Sequence, residues 1–229
     1  MKYFLLVFFV LLSSYAYAFR IDYMLITADD NGNGVFTVGN NMDYRQFIST
    51  SVAELYVKDG NIYEKPYTKK NIKEWEVTLT NPKFILNRDE MKQVGVLSLC
   101  NDRCNETEDK VYKITFSPEP YGEEKVVNVN FGYAPLFIMP AKQANISYKV
   151  KNTGETLIFE NTGNTYLRFM VDGCEDADSQ NNCRLVKTSL AGRYREYDLP
   201  DVVKNKDIEV LIINHDESYK KRVLVRREL

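Results

Sequence analysis

Four cysteines, a single histidine and a scatter of carboxylates are the groups in this 229-residue chain that could carry covalent, metal or acid–base chemistry. The cysteines form two local pairs, Cys100/Cys104 and Cys174/Cys183. An even number in an exported chain points to disulfides, with three pairings open on paper. The two local pairings keep each bridge within its own half of the chain, and each would add about 2–3 kcal/mol by restricting the unfolded state. Zinc is the rival use of thiols, but CNDRC lacks the usual zinc-knuckle spacing and His215 has no second histidine to join it. The only acid–base candidate at neutral pH, His215, lies in INHDESY beside a turn signal. No GxSxG, P-loop or GxGxxG stands in a fitting context. Asp29 and Asp30 fall in a turn, and Asp176 and Asp178 near Cys174 make an acidic loop with at most weak appeal to calcium. The chemistry expected of the chain is therefore not catalytic, and no cofactor or metal is expected.

What remains is chemistry of association. The segment Glu124–Pro140, EKVVNVNFGYAPLFIMP, is the longest β-prone run after the N-terminal leader. Val127, Val129, Phe131 and Tyr133 recur every second residue, with Asn128 and Asn130 between them. In an extended chain this puts large apolar groups on one face and amides on the other. The run Leu136–Met139 is continuously apolar and ends at Pro140. The expectation is one long strand, its lower part buried and its upper part an apolar ladder that needs a partner. An ordinary half-buried strand has the same periodicity.

Met1–Ala18 reads as a secretory leader: Lys2, the apolar run Tyr3–Leu12, then Ala16-Tyr17-Ala18. The run is too short to span a bilayer. Removing it changes 30 basic against 32 acidic residues to 29 against 32, a net charge of −3, which argues against nucleic acid as a partner. The remaining length suits two β-domains, 19–140 and 141–229.

Between the turns the pattern is strand after strand, with no convincing amphipathic helix. Phe19–Ile26 reads as a first strand, followed by the turn DDNGNG, then Val35–Val38, Tyr44–Val57, Trp75–Leu79, Phe84–Leu86, Gln93–Leu99 and Val111–Phe116. Tyr63–Lys73 is polar, basic and interrupted by proline, and reads as a loop; Cys100–Asp109 reads as an acidic loop. After Pro140 come Ile146–Lys149, Thr156–Phe159, Tyr166–Val171, Arg184–Lys187, Tyr194–Leu199, Ile208–Asn214 and Lys221–Arg226. The expected fold is all-β, two immunoglobulin-like sandwiches in tandem.

The ordered series VFTVGNNMDYRQFISTSVAELYV, NPKFIL, VYKITF, VNVNFGYAPLFIMP, LIFENTGNTYLRF and LAGRYREYDLP resembles the periplasmic chaperones of chaperone–usher pili, in a divergent branch. The resemblance covers nearly all of the chain after the leader. It implies two immunoglobulin-like domains in a boomerang, located in the periplasm, that stabilise incomplete pilus subunits by donor-strand complementation and pass them to an outer-membrane usher. The last strand of the first domain would lend Val127, Val129, Phe131 and Tyr133 to the subunit. The same strand offers a route to self-association of the free protein. The family also holds the subunit carboxylate with a cationic pair. In this chain Pro135 falls at the usual lysine position and Met24 near the usual arginine, so Lys113 and Arg20 are the nearest substitutes.

Two rival readings compete. Asn105-Glu106-Thr107 and Asn145-Ile146-Ser147 fit the glycosylation pattern and would suit a cell-surface immunoglobulin-like adhesion protein. Such domains bridge their sheets with distant cysteines around a tryptophan, whereas these cysteines are local and Trp75 lies outside both pairs. A pilus subunit would carry its own donor segment at the N-terminus, where Phe19–Ile26 reads as an ordinary strand.

Overall fold

The structure is a computed structural model and describes residues 19–100, 104, 107–120, 131–174 and 182–228. The expected leader, Val127, Val129, Asn105 and the Asp176/Asp178 pair lie outside the described residues. Seventeen strands and two short 3-10 turns make up the regular structure among them. No described helix is long and apolar enough to cross a membrane.

The first sandwich uses β1 (Phe19–Ile21), β2 (Leu25–Thr27), β3 (Gly34–Asn40), β4 (Gln46–Lys58), β5 (Asn61–Pro66), β6 (Val77–Leu79), β7 (Lys83–Leu86), β8 (Met91–Ser98), β9 (Lys110–Pro120) and β10 (Leu136–Met139). One sheet runs β1-β3-β8-β6; the other runs β2-β10-β9-β4-β5, with β7 also pairing β4. Their inner faces close over Phe36, Val38, Ile48, Leu86, Val94, Val96, Tyr112, Ile114, Phe116 and Phe137, all fully buried. Burial alternates along these strands because successive side chains point to opposite faces. Tyr112 keeps its hydroxyl satisfied inside this core by donating to Glu76 Oε2 at 2.5 Å. Burial and that carboxylate push the Tyr112 pKa well above the usual tyrosine range.

The second sandwich uses β11 (Tyr148–Asn152), β12 (Thr156–Asn161), β13 (Leu167–Asp172), β14 (Arg184–Ser189), β15 (Tyr194–Asp198), β16 (Ile208–Ile213) and β17 (Lys220–Val225). Its sheets are β11-β12-β15 and β14-β13-β16-β17. Phe159 and Phe169 stack at its centre with centroids 4.3 Å apart. No strand of one sandwich pairs with a strand of the other. The all-β reading with two sandwiches therefore stands.

Two segments differ from the sequence reading. Tyr63–Pro66, the start of the expected loop Tyr63–Lys73, belongs instead to the strand Asn61–Pro66. Asp59 and Gly60 both adopt positive φ, 51° and 73°, the two-residue turn that returns a chain antiparallel to its neighbour. β5 is an edge strand exposed on nearly all its residues, so it shows no apolar alternation. The expected first strand, Phe19–Ile26, is two strands in different sheets. Asp22 makes the break: its Oδ1 accepts from Tyr23 N at 2.8 Å and its Oδ2 from Thr37 N at 3.0 Å. The chain leaves β3 there and joins β10 three residues later.

Candidate functional site: the open edge beside β10

The switch at Asp22–Met24 decides where an edge is left open. β2 runs parallel to β10 and pairs only Leu136, Phe137 and Ile138, and Leu136 N reaches back to Met24 O at 2.9 Å. Above that point the extended chain is held on one side only. Tyr133 N donates to Phe116 O at 3.1 Å, Phe116 N donates to Tyr133 O at 2.7 Å, and Ile114 N donates to Pro135 O at 2.9 Å. Each of these points toward β9. In an extended strand the main-chain groups of neighbouring residues point to opposite sides. Those of Gly132 and Ala134 therefore point away from β9, and neither residue has a hydrogen-bond partner among the described residues. Pro135 lacks an N–H, but the missing donor is on the β9 side, so the proline leaves the open side unblocked.

Side chains along this edge divide. Phe131 is 76% exposed. Tyr133 is half-buried and packs on the core of its own sandwich, its ring 5.6 Å from that of Phe19. Of the two ladder residues described, one faces solvent and the other is used at home. Tyr23 and Met24, at the switch beside the edge, are also exposed.

Lys113 and Arg20 are not brought together. Tyr112 and Ile114 point into the core, so Lys113 points out of the opposite face of its sheet, where it pairs with Glu64. Phe19 and Ile21 also point into the core, so Arg20 points out of the other sheet, with Nη2 3.1 Å from Met91 Sδ. The two cations project from opposite outer faces of one sandwich and cannot grip a single carboxylate. Only Lys113 shares the sheet of the open edge, directly opposite Leu136 on β10.

Both local disulfides, Cys100–Cys104 and Cys174–Cys183, are formed. Among the described residues, no three His, Cys, Asp or Glu side chains gather as a metal site. His215 lines a cleft with Thr27, Asp29 and Met139 of the first sandwich, its ring 6.2 Å from that of Tyr166, and among the described residues neither a nucleophile nor an orienting carboxylate is bonded to its ring. Asp109, read from sequence as part of an acidic loop, is 9% exposed. Its place between the halves of the molecule had no local signal, because its partners are mostly main-chain groups far along the chain.

The sequence model of the CS5 fimbrial protein N-terminal domain matches residues 21–140, over half of the chain. The chain belongs to that family. The matched stretch ends with β10, so the open edge lies inside the family's own segment. Solved structures of fimbrial chaperones have this fold. The class 5 fimbriae chaperone CfaA is 19% identical, with TM-score 0.53, covering 92% of this chain and 99% of that one. A chain from the Salmonella enterica complex of the SafA pilin with the SafB chaperone is 13% identical, with TM-score 0.61, covering 93% and 99%. A chain from the Acinetobacter baumannii CsuC–CsuE complex of chaperone and tip adhesion subunit is 10% identical, with TM-score 0.58, covering 93% and 100%. No curated protein matches the chain. The resemblance to pilus assembly chaperones drawn from the motif order is thus matched by family and fold.

Proposed function

We propose that this CS5-family protein is a periplasmic, non-enzymatic chaperone that completes pilus subunits by strand addition and passes them to an outer-membrane usher. The carrying observation is the sheet edge beside Gly132–Ala134. Its outward main-chain groups have no partner among the described residues, and Phe131 stands exposed next to it. An incoming subunit strand would gain main-chain hydrogen bonds there, and its core would gain the alternate side chains. In this reading Met1–Ala18 is the export leader, 19–140 the subunit-binding domain and 141–229 the second domain. Val127, Val129 and Phe131 are the donated ladder, and Tyr133 anchors it at home. Lys113 is the candidate carboxylate anchor. Arg20 is dropped from that role because it faces away from the edge. The complexes of chaperones with a pilin or a tip adhesion subunit among the related structures support the choice of partner.

Photo-crosslinking tests this. A benzophenone side chain replaces Phe131, or Arg20 as a control, in chaperone co-expressed with a small secreted β-subunit encoded beside its gene. Crosslinks to the subunit from position 131 and none from position 20 are expected. Equal crosslinking from both, or from position 20 alone, would overturn the assignment of the edge.

A further inference from the structure

The contact between the two sandwiches includes an apolar patch, and one carboxylate stands among the polar groups that join them. Leu55, Val111 and Ile138 from the outer face of the β10 sheet pack with Tyr166 and Leu190 from the second sandwich. At one side of this patch Asp109, directly before β9, is buried. Its Oδ1 accepts from Ala141 N at 3.0 Å. Its Oδ2 accepts from Tyr166 N at 2.7 Å and from the Thr165 hydroxyl at 3.1 Å. Its own N–H donates to Asn164 O at 2.9 Å. The Asn164 side chain returns the contact, donating to Thr107 O at 2.7 Å and Gln143 O at 2.9 Å. One side chain thus ties together the start of β9, the connector after β10 and the turn before β13.

We infer that Asp109 is a positioning residue that pins the second sandwich against the outer face of the sheet carrying β10. Three features argue for this over a merely tolerated buried acid. All three donors come from outside its own strand. Two of them are main-chain amides, which have no other acceptor here and would be left unsatisfied without it. Among the described residues no lysine or arginine pairs with it; the charge is held chiefly by hydrogen bonds, with a smaller attraction from His215. Two further polar attachments join the sandwiches: Arg193 Nη1 and Tyr194 N donate to Gly60 O at the β4–β5 hairpin tip, at 3.0 and 3.3 Å, and the Thr27 and Tyr166 hydroxyls share a hydrogen bond of 3.0 Å. An apolar patch alone can slide; these polar attachments fix one placement. The open edge at 131–135 is a separate feature, so this inference can fail while the strand-addition reading stands, and the reverse.

The test uses the whole chain. Amide exchange and residual dipolar couplings are measured for the wild type, Asp109→Ala and Asp109→Asn. In Asp109→Ala the Ala141 and Tyr166 amides should exchange on the order of tenfold faster or more, as expected when a buried donor loses its acceptor. Core amides of Phe36 and Phe169 should keep their protection, and the couplings should report a changed orientation between sandwiches. Asp109→Asn, the milder variant should alanine fail to fold, offers one oxygen for two opposed amides, so one of the two should lose protection. Unchanged protection at Ala141 and Tyr166, unchanged orientation, or equal loss in both cores would overturn the inference.

Discussion

Phe131 offers the sharpest test of the edge, because its cost to the free protein and its worth to the proposed complex should differ. With 76% of its surface in water, it holds almost no packing that truncation could remove. Phe131→Ala should therefore move the stability of the free protein by less than about 0.5 kcal/mol. In a complex the same side chain would enter a subunit core. Full burial of a phenylalanine is worth roughly 1.5–3 kcal/mol, and about three quarters of that remains to be gained here, or about 1–2 kcal/mol. At about 1.4 kcal/mol per decade, subunit affinity should fall roughly 5- to 30-fold. Phe131→Asp should fall further, on the order of a hundredfold or more, since it puts an unpaired carboxylate in the same pocket. Fluorescence-detected titration of the purified protein with the co-encoded subunit reads the affinity, and thermal unfolding of the free protein reads the stability. Affinity unchanged within twofold for both variants would refute the assignment. So would a large loss of stability in Phe131→Ala, which would mean the ring is packed at home.

Tyr133→Ala should behave in the opposite way, costing the free protein about 2 kcal/mol and lowering its melting temperature by several degrees, because its ring packs on Phe19 and the first core. Lys113→Ala should weaken subunit capture while Arg20→Ala leaves it unchanged, as read by the same titration; equal effects would contradict the outward faces assigned to them. Replacing Cys174 and Cys183 by serine should lower stability by about 2–3 kcal/mol in denaturant unfolding and leave subunit affinity unaltered. Burial raises the Asp109 pKa above 3.8, against the hydrogen bonds that lower it. From that value up to the raised one, the native state holds a proton that the unfolded chain has released, so this group's contribution to stability falls as pH rises. The stability of wild type relative to Asp109→Asn should therefore increase as pH is lowered from about 7 toward 4, measured by thermal unfolding.

Most strands were legible in the sequence because one face of each is buried in a core, and burial writes its period into the residues. Phe36, Val38, Val94 and Val96 are buried at every second position, with Thr37 and Gly95 between them. β5 was illegible for the opposite reason: an exposed edge strand buries little on either face, and only the Asp59-Gly60 turn gave it away. The switch at Asp22 was hidden because Phe19–Ile26 carries apolar residues for two different sheets in one continuous run. At the candidate site, the apolar run into Pro140 was readable, but its open side was not. That depends on where β2 leaves off, and pairing between segments over a hundred residues apart has no local signature. Asp109 illustrates the same limit, since a buried acid held by distant main-chain amides reads in sequence like any other acidic loop residue.

The guarding of the other edges makes the exposed one at 131–135 informative. Unpaired strands invite association, and proteins blunt them with charge or by keeping them short. Here β5 carries Glu64 and Lys65, β11 carries Lys149 and Lys151, and β15 carries Arg195 and Glu196. β14 carries Arg184 and Lys187, and β17 carries Lys220, Lys221 and Arg222. β1 has Arg20, while the two edge strands without charge, β2 and β6, are three residues long. Phe131–Pro140 reads FGYAPLFIMP, ten residues without a charge, and its upper half is the part left unpaired on one side. Pro135, the one residue there that could blunt an edge, spends its missing donor on the β9 side. A chain that guards its other described edges and leaves this one apolar and open is what the proposed strand addition requires.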